Sequence, residues 1–500
     1  VKPLIAGGKG QPMGRFYLGV DLGTTRLKVG LFDERGTLLA QASRDYPTHR
    51  PERDAAEQNS RDWWAALCEC CRELDRQAAA GPDPLKRVDA VCVVGQGPTV
   101  VAVDERGEPV RPAVTWADSR CRQEAEEIGA FAGYSSLARA MWMARHDGAA
   151  VSRARWFLQS YDYLPFRLTG EPVTVMPLSG SRPWTNEQLT AAGLDPAQFP
   201  ERMLPPGQVA GQVTKDAAEA TGLVQGTPVI TGTVDSFSHW VGVDLREIGR
   251  MCDIGGTSEG IAVAVSEPVG DPLGRVGSLM SPVGSWVVSG ATSNGAGVLE
   301  WFRSRFYPEG ATYTEVAAEL MAVAPGAEGV LALPYLRGER VPIDDPAARA
   351  CFFGIGVEHG RAHLGRALLE GVAFGVRWVV DVFRELGVEV RRVVATGGAA
   401  RLGLWNQIKA DVLGLEVWVP SVVETGILGA AIIARAGAEK RDIGDVACGM
   451  VTLKERYRPD EAAHSLYEKL YARYLSLYGA LREEFAALDS LVKKSAPSAS

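Results

Sequence analysis

The chain has 500 residues, 46% hydrophobic and 23% charged, the balance of an ordinary folded protein long enough for two or more domains. A formal net charge of −8 argues against a broad basic surface for nucleic acid, and no apolar run approaches the roughly 20 residues that span a bilayer. Eight scattered cysteines suggest a reducing compartment, the cytoplasm, and no disulfide framework.

The opening "VKPLIAGGKGQPMGRF" lacks the hydrophobic stretch of a signal peptide, and residues 1–15 read as a flexible leader. "RFYLGVD" and "RLKVGLFD" predict two strands joined by a turn, and "ERG" turns into a third, "TLLAQASRDY". "QNSRDWWAALCECCRELDRQAAAG" predicts a helix with Ser60 as N-cap and Gly81 just past its end. Cys68 and Cys71 have C-x-x-C spacing in it, but without a second pair or a nearby histidine they read as helix core rather than a zinc or redox site. "RVDAVCVVGQG" is a buried strand entering a glycine loop, "VVAVDERGEPVRPAVTW" a hairpin, and Ser119 to Phe157 mostly helical. Strands are expected at "TPVITGTVD", "MCDIGGT", "EGIAVAV", "SWVVSGA" and "RRVVATGG". Helices are expected at "AGVLEWFRSRF", "HLGRALLEGVAFGVRWVVDVFREL", "LGLWNQIKADVLG" and "LGAAIIARAG". A last helix from "EAAHSLYEKL" ends in "KKSAPSAS", which reads as a disordered tail. The order of strands and helices indicates an α/β architecture.

One repeat is visible. "DLGTT" at Asp21–Thr25 returns as "DIGGTS" at Asp253–Ser258, each between two strand-like runs, which suggests two related halves with a boundary near residue 245. A turn of glycine and threonine gathers backbone N–H groups and hydroxyls into an anion nest suited to phosphates. A carboxylate at its mouth would repel a phosphate, and makes sense if Mg2+ lies between Asp21 and the phosphates, directly or through water. The alternative is a plain hairpin turn, and the second copy weighs against it. Lys28 could add a cation, but on an alternating strand it reads more readily as a solvated side chain.

Other motifs are excluded or left open. G-x-x-x-x-G-K-[ST] is absent, and "SGATSNGAG" lacks the spacing of a dinucleotide fingerprint. In "ATGGAARLGLWNQI", Gly397 and Gly398 have no Cβ and would let a flat ring lie on the backbone, or they make a tight strand–helix turn. In "PVITGTVDSFSHWVG", Asp235 follows a buried strand, where a carboxylate can take a proton from an attacking hydroxyl. An N-cap for the helix at "SFSHW" is an equal reading. His239 reads as structural. No Ser–His–Asp arrangement or HExxH occurs, and six histidines leave little room for a metal cluster.

Taken in order, "GVDLGTTRLKVGLFDERG", "EQNSRDWW", "VGQG", "RPAVTWADSR", "YDYLPFRLTGE", "IGGTSEG", "LPYLRGERVPIDDPAARACFFGI" and "GGAARLGLWNQIKADVLGLEVWVP" resemble the FGGY carbohydrate kinases, and most of all their xylulose kinase branch. The resemblance spans nearly the whole chain. It implies two actin/hexokinase-like domains with a cleft between them. The sugar-side domain would cover 16–245 and the ATP-side domain 246–455, followed by a helix over 456–490 and a tail over 491–500.

It further implies ATP and Mg2+ as cofactors and a small sugar or polyol as substrate, and a homodimer is common in such enzymes. Asp235 would be the base and Asp21 would serve the Mg2+–ATP end. Gly23, Thr24, Thr25, Gly256 and Thr257 would hold phosphates, and Gly397, Gly398 and Asn406 the nucleotide. Gln96, Gly97, Pro98, Trp116 and Asp118 would line the substrate side with Asp235; Trp116 as core packing is the alternative.

The departures concern the substrate. The branch usually carries Met-His-Gly after "GQ", where this chain has Gly97, Pro98 and Thr99. Thr233 and Val234 replace small glycines before Asp235, and Val175 and Pro177 stand where Asp-x-Ser is usual. A ketopentose such as D-xylulose leads, with a polyol, tetrulose or sugar acid close behind. Losing a group that reads a hydroxyl can change specificity by several orders of magnitude. A non-catalytic ATP-binding regulator needs no base, and a dehydrogenase needs a strand–GxGxxG–helix that is not found.

Overall fold

The computed structural model describes residues 14–495 except 53, 78–82, 130–134 and 177–183. Gly81, Pro177 and most of the expected leader lie outside the described residues. The chain divides into two units. One runs to Ser238 and includes Gly426–Met450; the other holds His239–Thr425 and the chain from Val451 onward.

The first unit is built on a six-stranded sheet. Its strands are β1 (Phe16–Leu22), β2 (Arg26–Phe32), β3 (Leu38–Asp45), β4 (Val88–Gly95), β5 (Val209–Gln212) and β6 (Pro228–Ile230), in the order β5-β6-β4-β1-β2-β3. β1, β2 and β3 are an antiparallel meander, β4 runs parallel to β1, and β6 parallel to β4. β1 is buried throughout, as a strand covered on both faces must be. Helix α1 (Ser60–Asp75) turns Trp63, Leu67, Cys70, Cys71 and Leu74 onto the core, a 3.6-residue stripe. Burial pushes the Cys70 thiol up to about 12, which keeps it neutral and apolar. The N-cap is Asn59 rather than Ser60: Asn59 is extended and its side chain accepts from Arg61 N at 3.2 Å, whereas Ser60 is already helical and buried.

A smaller four-stranded sheet joins Glu57–Gln58, Ala113–Val114, Val100–Val103 and Trp156–Gln159. Phe157 therefore lies in a strand, not in the helical stretch expected to reach it, because "WFLQ" pairs with Val100–Val103.

The second unit is built on a seven-stranded sheet: β7 (Arg250–Gly255), β8 (Glu259–Val265), β9 (Gly277–Met280), β10 (Trp286–Ala291), β11 (Arg392–Thr396), β12 (Val417–Pro420) and β13 (Leu453–Tyr457). Their order is β9-β10-β8-β7-β11-β12-β13. The run β10-β8-β7-β11-β12 repeats β3-β2-β1-β4-β6 of the first unit: two antiparallel pairings, then two parallel ones. Asp21 faces Val94 of the parallel neighbour, and Asp253 faces Ala395 of its own. The sequence repeat is thus a repeat of topology and register.

Four further helices matter below: the short α2 (Asp235–Gly242), in which the division between units falls, α3 (Ala296–Phe306), the long α4 (Arg361–Glu385), and α5 (Gly403–Leu413), which follows β11. The final helix, α6 (Glu461–Ser495), begins and ends about five residues later than the expected 456–490. It starts after β13 has paired with β12. It continues through 491–495, which the sequence reads as tail, because no glycine or proline intervenes before Pro497. Its Tyr467, Tyr471, Tyr474 and Tyr478 form one buried stripe, and their hydroxyls bond Glu370, Asp381, Tyr335 and Asp345 at 2.6–2.8 Å.

The chain units differ from the expected domains in two places. Residues 239–245 go with the second unit, and 426–450 return to the first. The return is explained by packing: a Cβ at Gly19 of β1 would lie 2.0 Å from Ile427 O, so the helix Thr425–Glu439 sits directly on that strand.

Candidate active site

In the first unit, three adjacent parallel strands deliver the chemistry from their carboxyl ends, the usual place for a ligand in an open α/β sheet. Asp21 comes from β1, the Gln96–Pro98 turn from β4, and Asp235 from the segment after β6. That last segment continues alongside β4: Gly95 N donates to Thr233 O at 3.2 Å. Gly232 permits it, since a Cβ there would be 1.9 Å from Val93 O.

Asp21 is 6% exposed and stands opposite Lys28 across the hairpin. Gly23 N donates to Arg26 O at 3.1 Å and closes the turn, so the groups turned outward are those of Thr24 and Thr25. Thr24 Oγ1 accepts from Trp116 Nε1 at 2.9 Å and keeps its own hydrogen to donate. Thr25 is exposed. Trp116 is half-buried and held by Thr99 Oγ1 on its N–H at 3.1 Å and by Arg139 on its carbonyl at 2.9 Å. It is therefore placed at the turn rather than packed in a core.

Asp235 is the first residue of α2 and not its N-cap: Val234 O accepts the first helical N–H groups, from Phe237 at 3.1 Å and Ser238 at 3.2 Å, while Asp235 Oδ1 accepts from Ser236 N at 2.7 Å. It keeps some contact with solvent, yet its carboxyl is pushed up to about 7. Burial is the main cause, then the negative charge of Asp21; the Ser236 N–H and Lys28 pull it back down. Tyr46 feels both carboxylates and Tyr161 feels Asp235, so these two phenols flank the same place. Gly97 and Pro98 are half-buried, and a Cβ on Gly97 would stand 3.3 Å from both Tyr161 Cε1 and Val234 Cγ2.

Two expected substrate contacts face inward instead. Gln96 is fully buried and donates to Gln58 Oε1 at 2.7 Å. Asp118 is buried, accepts from Ala56 N at 2.9 Å, and pairs with Arg120 at 2.7 Å. Gln96 thereby braces its turn, and Asp118 its loop. Gln58, Tyr46 and Tyr161 escape sequence reasoning; Gln58 lay within the quoted "EQNSRDWW", but nothing local marks where its amide points.

In the second unit, Gly256 N closes its own hairpin on Ser258 O at 3.1 Å, the counterpart of Gly23, and leaves Thr257 exposed. The start of α3 supports this turn from below: Ala296 N donates to Gly256 O at 2.7 Å, and Gly295 N to Thr257 O at 3.1 Å. A cavity of about 180 Å³ opens beside Thr257, walled by Asn294, Gly297, Trp301 and Arg337. Gly397 has φ +76° and its Cβ would lie 2.7 Å from Gly255 O, so the two turns are packed back to back. Gly398 is exposed with nothing within 4 Å of its missing Cβ, which suits a flat ring. Asn406 does not face that space. It is buried, and Nδ2 donates to Ala400 O at 2.8 Å, holding the turn.

The donor set in the first unit fits a magnesium ion. Two carboxylates close enough to perturb one another share one lysine, which favours an added cation. Among the described residues no three His, Cys, Asp or Glu side chains could cage a metal. Among those residues, too, no helix is long and apolar enough to cross a membrane.

Comparison with known proteins agrees in both halves. Residues 16–242 match the FGGY family of carbohydrate kinases, N-terminal domain, and residues 253–438 its C-terminal domain. The gluconokinase of Bacillus subtilis is 28% identical, over 95% of this chain and 98% of that protein. The xylulose kinase of Escherichia coli is 28% identical, over 92% and 98%. The crystal structure of xylulose kinase from Rhodospirillum rubrum superposes with a TM-score of 0.78 at 29% identity, over 94% of this chain and all of that one.

Proposed function

The chain belongs to the FGGY family of carbohydrate kinases, and from that premise we propose that it transfers the terminal phosphoryl group of ATP to one hydroxyl of a ketopentose such as D-xylulose. The observation that carries the mechanism is Asp235, a carboxylate lifted to about 7 beside a second carboxylate. A base with an ordinary carboxylate pKa would hold a proton too weakly; one near neutrality is matched to its task.

Asp235 Oδ orients the attacking hydroxyl and accepts its proton as the new O–P bond forms and the bond to the ADP oxygen breaks. Phosphoryl transfer requires mainly alignment and neutralisation of charge. The Thr24 hydroxyl and the exposed Thr25 and Thr257 turns would supply donors to the phosphates. Gly397 and Gly398 would seat the adenosine. Asp21 would hold Mg2+, directly or through water, and the ion would supply positive charge at the phosphates. Trp116 and the Gly97–Pro98 turn would wall the sugar, with Tyr46 and Tyr161 beside the base.

Similarity to the Bacillus subtilis gluconokinase over 95% of the chain supports a second reading, in which the substrate is a sugar acid. The test is ADP formation with Mg-ATP and a panel of ketopentoses, tetruloses, polyols and sugar acids, with Asp235→Ala alongside. Turnover on a ketopentose, reduced about 10²–10⁴-fold in the variant, is expected. Turnover on a sugar acid alone would rename the substrate. Activity that survives Asp235→Ala would refute the base.

A further inference from the structure

Asp253, two residues before the end of β7, holds the register that Asp21 holds on β1, but its surroundings differ. Lys409, on α5, reaches it: Nζ lies 2.5 Å from Asp253 Oδ2 and 3.2 Å from Glu259 Oε2. All three side chains are buried, with exposures of 3% or less. Asp253 enters the Gly256–Thr257 turn and Glu259 leaves it, so both flanks of that hairpin converge on one ammonium. The other end of the lysine is anchored in the helix that follows the Gly397–Gly398 turn, and the aromatic face of Trp405 lies 5.3 Å from Nζ.

We propose that Lys409 is a positioning residue for the nucleotide, clamping the hairpin that carries Gly256 and Thr257 to the helix behind Gly397 and Gly398. It thereby sets the spacing of the two turns. This rests on the kinase reading above. The electrostatics agree with a fixed clamp. Burial opposes the charge on the lysine, but Asp253 and Glu259 outweigh it and hold the ammonium above its ordinary range, while burial first and then Asp253 push the Glu259 carboxyl up against the pull of Lys409. The contact at Gly397 has no slack, since Gly255 O already sits where a Cβ would be. A shift of the hairpin therefore has to move one turn against the other.

The test is calorimetric binding of Mg-ATP, with no sugar present, to three folded proteins. They are the wild type, Lys409→Arg, and the uncharged triple variant Lys409→Met with Asp253→Asn and Glu259→Gln. The triple variant leaves no charge buried and is expected to keep its Tm within a few degrees, yet to bind Mg-ATP at least tenfold more weakly. Lys409→Arg keeps the cation, and its longer planar head is expected to weaken binding several-fold at unchanged Tm. In turnover, KM for ATP should rise while KM for the sugar stays. Either folded variant binding as the wild type does would overturn the clamp, and Lys409→Arg decides alone if the triple variant does not fold. A wild type that fails to bind Mg-ATP would instead refute the kinase reading, and the clamp with it.

Discussion

Gln58 holds Thr24 in place: its Nε2 donates to the Thr24 carbonyl at 2.6 Å, and also to Thr48 Oγ1 at 2.7 Å. Its Oε1 accepts from Trp63 Nε1 at 3.2 Å and Gln96 Nε2 at 2.7 Å. One fully buried amide thus ties the Gly23–Thr25 turn to α1 and to the turn after β4 that carries Gln96. Gln58→Glu keeps the shape but cannot donate to Thr24. A lost buried hydrogen bond costs about 1–3 kcal/mol, so kcat/KM should fall about 10–100-fold. Steady-state kinetics on Gln58→Glu check this, and an unchanged kcat/KM would mean that the turn needs no such support.

The pH dependence follows from Asp235. The base acts deprotonated, and its carboxyl sits at about 7, so kcat/KM should fall tenfold per pH unit below that value and level off above it. Lys28 lowers this pKa, so Lys28→Met should move the inflection upward. The variant would lose activity at pH 7 and regain it at pH 8–9. A loss that persists at high pH would show that Lys28 acts through contact with a substrate instead.

The parts legible in the sequence were those written locally. The glycine and threonine turns, their repetition and the strands around them are short patterns, and the structure reproduces them in both units. Asp235 was legible as to place, since a carboxylate after a buried strand has few destinations. Orientation was not. Gln96, Asp118 and Asn406 stand beside the glycine turns and loops, but their side chains point into the protein; for Gln96 and Asp118 the partners, Gln58 and Ala56, lie far away in the chain, whereas Asn406 turns back on Ala400, six residues before it. Lys409 illustrates the same limit. It lies about 150 residues from the carboxylates it joins, and nothing in "LGLWNQIKADVLG" tells it from a surface lysine.

Asp118 is expected to matter for stability rather than for the sugar. Arg120 pairs with it at 2.7 Å and with Glu57 at 2.6 Å, beside Gln58. Arg120→Leu would leave Asp118 buried without its cation, a loss of about 3–5 kcal/mol. Urea denaturation should show that loss in the midpoint, with KM for the sugar changed little at low temperature where the variant is folded. A rise in KM without loss of stability would return Asp118 to the substrate side.

Asp235 also sets a cost on the fold. Its carboxyl pKa is higher in the native state, about 7, than the 3.8 of an ordinary aspartate. Between those values the folded chain binds more protons than the unfolded one, so stability falls as pH rises from 4 to 7 and stays lower above it. Asp235→Asn removes the charge while keeping the shape, so the inactive variant should be more stable than the wild type at pH 8. The gain in Tm should be a few degrees there and vanish near pH 4, where both side chains are neutral. Thermal scans of the two proteins across that range provide the check. A gain of equal size at both pH values would trace the effect to packing, and a loss at pH 8 would show that the carboxylate is stabilised in the folded chain and is no poised base.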